Sequence, residues 1–159
     1  KIEVPFRFKS YTALQSEINN LSFVKSSSYS FGIPGEINLT MGSGEKNVDM
    51  NIKTIMVDSN FLKTFQVHLL KGRQFLSGDF HKACMFNETA VRKLGWEDLK
   101  NRKYKMGKES GYDVIGIVND FNVSSLLKKQ EPVCLIYDNT NKPNILSVRI
   151  MPGHIHQQI

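Results

Sequence analysis

No stretch of the 159 residues is apolar for the ~18 positions that a membrane-crossing helix needs. No secretory leader pattern opens the chain either. Cysteine is scarce, with two residues, so there is no disulfide framework to read. Cys84 and Cys134 each sit inside an apolar run, where cysteine acts as a small buried hydrophobe. One bridge between two strands stays open, because it needs a close Cα spacing that a sequence does not record. No Gly-Lys-Ser/Thr follows a glycine-rich turn, which excludes a phosphate loop at Gly32-x-x-Gly35 or Gly42-Ser43-Gly44. No Gly-x-Ser-x-Gly elbow marks a serine nucleophile. Internal repeats and low-complexity tracts are missing as well.

What is present is ordinary globular material. Hydrophobic residues make up 40% of the chain and ten are phenylalanine, enough to fold without a metal or a staple. The length fits one domain, or two small subdomains around a shared core. Net charge is +6. The basic residues are spread out except for Lys100, Arg102, Lys103, Lys105 and Lys108, with Trp96 and Tyr104 the aromatic neighbours. No helix-turn-helix, zinc-finger or RNA-recognition pattern accompanies them, so the reading is a solvated face or one meeting anionic headgroups, with no nucleic acid.

The chain is organised around Tyr112–Pro132. It reads as a strand with Tyr112, Val114, Gly116 and Val118 on one face and Ile115 and Ile117 on the other. Both faces are apolar, which predicts a central strand covered on both sides. Gly116 suggests a bulge or a close backbone neighbour. A polar corner at Asn119-Asp120-Phe121 follows, then a helical turn capped by Ser124 or Ser125. Pro132 opens a last pair of strands, Val133–Tyr137 and Ile145–Ile150.

Upstream, Ile2–Phe8 reads as an edge strand. Ser10 caps a helix whose stripe is Tyr11, Leu14, Ile18 and Leu21, with Gln15, Glu17 and Asn19 outside. Phe23–Phe31 is a serine-rich strand expected to be half exposed. Gly32–Lys46 is loop-like. Asn47–Asp58 alternates but slips phase, suggesting a bulge or turn near Lys53. Asp58 or Ser59 caps a helix pointing Phe61, Leu62 and Phe65 inward, and Lys71-Gly72 reads as a turn. Cys84–Phe86 is a strand. Asn87 caps the next helix, which Gly95 ends in the left-handed position. Lys100–Gly111 is a basic hairpin-like stretch.

Candidate chemistry is thin. His154 and His156 lie two apart, so on a helix they diverge, and no second cluster completes a metal set. Asp79 and His81 could be posed with a serine, but no particular serine stands out. Asp120 is the carboxylate of most interest. General acid or base work would need a histidine or second carboxylate beside it. An Asx turn, bonding nearby backbone amides, explains it with less. Asn87-Glu88-Thr89 fits a glycosylation sequon, but a helix cap accounts for the same residues. No catalytic, cofactor-binding or metal-ligating residue is assigned, and no cofactor is implied.

MFNETAVRKLGW, YDVIGIVNDFNVSSLLKKQEPV and ILSVRI, taken in order, resemble the MacB-like periplasmic core domain of FtsX-like ABC-transporter permeases of the Bacteroidetes type. Leu62-Lys63-Thr64-Phe65 with Leu70–Phe75 fits the same family, as does the opening with LSFVKSSSYSFGIPG. Ile117 stands where valine is commoner, and Asn122 where histidine is frequent. The resemblance implies an α+β fold: a porter-like β-α-β subdomain from residues 1–34 and 142–159, with a smaller mixed-β subdomain, 35–141, inserted. It implies a non-catalytic domain at the periplasmic face of the bacterial inner membrane. Its partners would be its own transmembrane helices beyond both ends, a cytoplasmic ABC ATPase, a second permease copy and a periplasmic adaptor or cargo. Two other readings compete: an extracytoplasmic ligand-binding or sensor module, and a small hydrolase built on Asp120 and a histidine.

Overall fold

The computed structural model describes residues 1–3, 10–37, 39–43, 48–105, 111–122, 129–138 and 145–152. The fold is α+β. In chain order the elements are β1 (Ile2–Glu3), α1 (Tyr11–Asn19), β2 (Val24–Phe31), β3 (Leu39–Gly42), β4 (Asn51–Val57), α2 (Phe61–Phe65), β5 (Leu69–Gly72), β6 (Ala83–Asn87), α3 (Glu88–Leu94), β7 (Lys103–Tyr104), β8 (Tyr112–Val118), β9 (Val133–Tyr137) and β10 (Ile145–Ile150). One mixed sheet runs β1-β10-β2-β4-β9-β6-β8-β5, with β3 also on β4 and β7 on β8.

The middle of the sheet is covered on both faces, and strict alternation sorts its side chains. From β6 and β9, Ala83, Met85, Val133 and Leu135 join Ile55, Val57 and the α2 residues Phe61 and Leu62 in one layer. Cys84, Phe86, Cys134 and Ile136 join Ile52, Trp96, Tyr104 and the α3 residues Ala90 and Leu94 in the other. Phe86 meets the rings of Trp96 and Tyr104 edge-on at 5.3 and 5.1 Å, a favoured aromatic geometry. The two thiols are free and fully buried, as expected of cysteine in apolar runs. Burial and the neighbouring Cys84 push the Cys134 thiol well up.

The same two-layer arrangement corrects the phase slip expected near Lys53. β4 keeps unbroken register with β3 and with β9. Ile52 faces one layer and Ile55 and Val57 the other, so no bulge is needed. The bulge lies instead in β8. Against β6, Cys84 pairs with Val114 and Met85 with Gly116, leaving Ile115 extra. Tyr112 and Val114 therefore face the α3 layer and Val118 the α2 layer, which corrects the single-face assignment. Gly116 also has the close neighbour it suggested: a Cβ there would lie 3.3 Å from the Lys71 carbonyl oxygen. β8 is one strand in from the β5 edge, so β6 and β9 are the more central strands. Ile117 is buried and Ile115 half-buried. We expect Ile117→Ala to cost roughly 2 kcal/mol and Ile115→Ala roughly 1, measured by urea unfolding, and the reverse order would contradict this bulge.

Two further expectations fail. β9 and β10 are not a pair: β9 runs parallel to β4 and antiparallel to β6, whereas β10 lies antiparallel between β2 and β1. Sequence neighbours were separated because β9 satisfies two apolar faces in the middle of the sheet and β10 belongs with α1. Lys71-Gly72 is not a turn but the end of edge strand β5, paired with β8.

At the other end, Tyr29 and Leu146 form a small separate core with Tyr11, Leu14, Ile18 and Val148. Ser10 caps α1 through Ala13 N, as expected. Leu21, placed in the apolar stripe by spacing, is 45% exposed because α1 ends at Asn19.

Candidate functional site

Asn87 ends β6 and caps α3. Its Oδ1 accepts from Ala90 N at 3.0 Å, the expected cap, and from Val133 N at 2.8 Å on β9. Its Nδ2 donates to Asp120 Oδ1 at 2.7 Å and to the Glu131 carbonyl at 2.9 Å. The amide is fully buried with all four positions used, so as a sequon it offers nothing to a glycosyltransferase.

Among the described residues, Asp120 makes no Asx-turn bond. Its carboxylate accepts from Thr89 N at 3.0 Å, Thr89 Oγ1 at 2.7 Å and Asn87 Nδ2, and so anchors the corner to the first turn of α3. The long-range partner was invisible in sequence because residues 87 and 120 meet only through the parallel pairing of β6 and β8. Its described bonding partners include no histidine.

Among the described residues, His81 pairs with a carboxylate, its Nδ1 lying 3.2 Å from Asp138 Oδ2. Asp138 is buried at the end of β9 while His81 is largely exposed beside Phe80. Asp79, posed with His81 by proximity in sequence, instead grips Arg73 through both carboxylate oxygens, the Nη2 contact being 2.8 Å. That bond to Arg73 holds the Asp79 carboxyl below its usual value. A depressed carboxyl contributes stability above its unfolded pKa and loses it as pH falls through the folded value. Arg73→Ala should therefore return Asp79 towards the ordinary carboxylate range, followed by NMR titration. An unmoved Asp79 midpoint would show that the pair does not form in solution. His154 and His156 lie outside the described residues, as do Ser124 and Ser125. Among the described residues no group of three His, Cys, Asp or Glu side chains could hold a metal.

In the basic stretch, Lys103 pairs with Asp113 at 2.8 Å, and Arg102 lies 5.5 Å over the Trp96 ring. Lys108 falls outside the described residues. Two adjoining clefts open on the α3 side of β8 and β5. One, about 330 Å³, is lined by Leu70, Val91, Arg92, Trp96 and Ile117 among others. The second, about 360 Å³, shares Lys71 and Ile117 and adds Leu99 and Lys100. Their rims carry both signs of charge, from Lys71, Arg92 and Lys100 and from Glu88, Glu97 and Asp98.

The residue that sequence reading undervalued is Asp58, taken there as a helix cap. It is 5% exposed and accepts four hydrogen bonds: Ser28 Oγ at 2.6 Å, Tyr29 N at 2.9 Å, Gln15 Nε2 at 2.8 Å and Asn60 N at 3.0 Å. Burial pushes its carboxyl up against the pull of those donors. Gln15 is thus half-buried and bonded, not outside, and the serines of β2 are buried, not half exposed. An unusual run of hydroxyls in a strand, Ser26-Ser27-Ser28, was the available signal.

This α+β sheet is the fold of the extracytoplasmic domains of ABC-type permeases, the MacB-like periplasmic fold. The extracellular domain of the noncanonical ABC-type transporter YknZ from Gram-positive bacteria matches over 89% of this chain and 73% of its own, with TM-score 0.65 and 17% identity. A domain of a protein named as a permease from Porphyromonas gingivalis matches over 86% and 67%, with TM-score 0.60 and 18% identity. The periplasmic region of MacB from Actinobacillus actinomycetemcomitans matches over 89% and 64%, with TM-score 0.57 and 14% identity. No family profile and no curated protein sequence matches the chain.

Proposed function

We propose that the chain is the extracytoplasmic domain of an ABC-transporter permease and acts without catalysis, passing ATP-driven motion to a cargo or partner. The observation that carries this reading is the fold shared with three such domains over nearly the whole chain. Fold alone does not assign a function, so the polar groups matter as support. Asp120, Asn87 and Asp58 are spent on bonds that tie elements together, which suits a stiff body. Among the described residues no helix is long and apolar enough to cross a membrane, and on this reading the spans lie in the parent protein.

The rest of the assignment follows the same reading. Residues 1–34 and 142–159 form the porter-like subdomain and 35–141 the insert. The domain sits at the periplasmic face of the inner membrane. Its partners are its own transmembrane helices, a cytoplasmic ATPase, a second permease copy and a periplasmic adaptor or cargo. A spin label at the exposed position Lys82, in the parent permease co-purified with its ATPase, tests the idea through the distance between the labels of the two permease copies. The label distance should differ between ATP-bound and ADP-bound states. A distance indifferent to nucleotide, in a preparation that hydrolyses ATP, would remove the mechanical role.

A second reading, a ligand-binding module, draws on the clefts beside Trp96. It expects a compound that quenches the fluorescence of this single tryptophan on binding the isolated domain, with affinity lost in Leu70→Ala.

A further inference from the structure

We infer that the α1–β2–β10 unit is hinged to the rest of the sheet along the β2–β4 seam, and that Asp58 is the latch that keeps this hinge shut. The seam is narrow. β2 meets β4 at two register positions only, Ser30 with Val57 and Phe31 with Met56. By contrast β2 and β10 stay in register over most of their length, and the unit keeps its own small core around Tyr29 and Leu146.

Behind the seam the contact with α2 is polar and poorly bonded. Among the described residues, the hydroxyls of Ser26, Ser30 and Thr64 are buried on this side without a hydrogen-bond partner. Each gives up hydration on closure and gets no bond from a described residue in return, so opening the seam to water is favourable for all three.

Among the described residues, few polar ties oppose opening. Arg149 of β10 donates to the Thr64 carbonyl at 3.2 Å, Asp58 N donates to the Tyr29 carbonyl at 3.1 Å, and Lys1 pairs with Glu36. The Asp58 carboxylate gathers as many bonds as these three together, all on one group. It stands at the end of β4, yet three of its four donors come from the hinged unit: Gln15 from α1, and Ser28 and the Tyr29 amide from β2. Charge-assisted bonds of this kind are the strong ones, and all three break together when the unit swings away. The device concerns the fold itself, and it stands or falls independently of any transport role.

Hydrogen–deuterium exchange on the 159-residue chain tests it, with Asp58→Asn and Gln15→Ala. In Asp58→Asn the new amide group must face two of the four donors. The β2 and α1 amides should then exchange about tenfold faster, while β6 and β9 amides keep the parent rate. Gln15→Ala removes one donor from a half-buried helix position and should give the same pattern at about threefold. Spin labels at Glu17 and Lys82 should show a second, longer distance in Asp58→Asn. Exchange that rises equally in β2, β6 and β9 would make Asp58 a staple of one cooperative unit and overturn the hinge. Unchanged β2 exchange in Gln15→Ala would overturn the latch, and that variant decides if Asp58→Asn does not fold.

Discussion

Asn87→Asp should be more damaging at neutral pH than Asn87→Ala, although aspartate is nearly the same shape. The alanine variant loses four hydrogen bonds and leaves the Ala90 and Val133 amides without their acceptor. Unmet buried donors cost about 1–3 kcal/mol each, so roughly 3–5 kcal/mol is expected in all. Aspartate keeps the acceptor but turns the other position, now an oxygen, towards Asp120 Oδ1 at 2.7 Å and the Glu131 carbonyl at 2.9 Å. Two carboxylates at that separation in a buried site cannot both stay ionised. The variant must take up a proton or open the corner, and at pH 7 we expect a loss of roughly 5 kcal/mol, close to the whole stability of a domain. Acid should reverse the order. A shared proton restores a donor between the two carboxyls, so near pH 4 the aspartate variant should become the more stable of the two. Asp120→Asn in the Asn87→Asp background should restore only part of the loss at pH 7, because the exchanged amide also meets Thr89 N and the Glu131 carbonyl still lacks its donor. Urea midpoints at the two pH values measure all of this. An aspartate variant with a pH-independent deficit would show that Asn87 and Asp120 are not in contact.

This cluster also shows where sequence is legible and where it stops. The cap on α3, its left-handed end at Gly95 and the strand before it depend on residues within a few positions of each other, and all were readable. The resemblance carried by the stretches around Asn87, Tyr112 and Ile145 pointed to the fold that the solved permease domains share. Contacts over long separations were not readable. Asp120 looked like a local turn because its partners lie more than 30 residues away. Asp58 looked like a cap because Gln15 and Ser28 meet it only after β2 docks on β4. Serine is polar, so β2 read as half exposed, yet its hydroxyls are small enough to bury beside α2. The placement of β10 failed for a related reason. Adjacent strands in sequence usually pair, but β9 is apolar on both faces and was claimed by the middle of the sheet.

Gly72→Ala should detach the β5 edge, and a second glycine separates the reasons. Gly72 and Gly35 both have positive φ, 86° and 90°. Around Gly35 a Cβ would meet nothing within 4 Å, so Gly35→Ala carries only the backbone strain, about 1 kcal/mol. At Gly72 the same atom would lie 2.1 Å from the Ile115 carbonyl oxygen and 2.7 Å from Gly116 Cα. Both obstacles are backbone in β8, and they cannot swing aside as a side chain would. β5 must therefore retreat, losing the pairing of Gly72 with Gly116 and of Lys71 with Ile117, and the Arg73 amide bond to the Ile115 carbonyl at 3.2 Å. We expect a loss of roughly 4 kcal/mol, the strain added to two or three broken ladder bonds. Gly116→Ala should fall between the two. Its nearest obstacle is the Leu69 Cδ1 methyl at 2.9 Å, the end of a side chain that can rotate away. Thermal unfolding ranks the three variants, and limited proteolysis should cut Gly72→Ala first near Leu70. Equal losses in Gly72→Ala and Gly35→Ala would mean that the two backbones are further apart in solution. Because Leu70, Lys71 and Gly72 also line the clefts beside Trp96, the same variant would lose any ligand they hold while leaving the Asp58 seam intact.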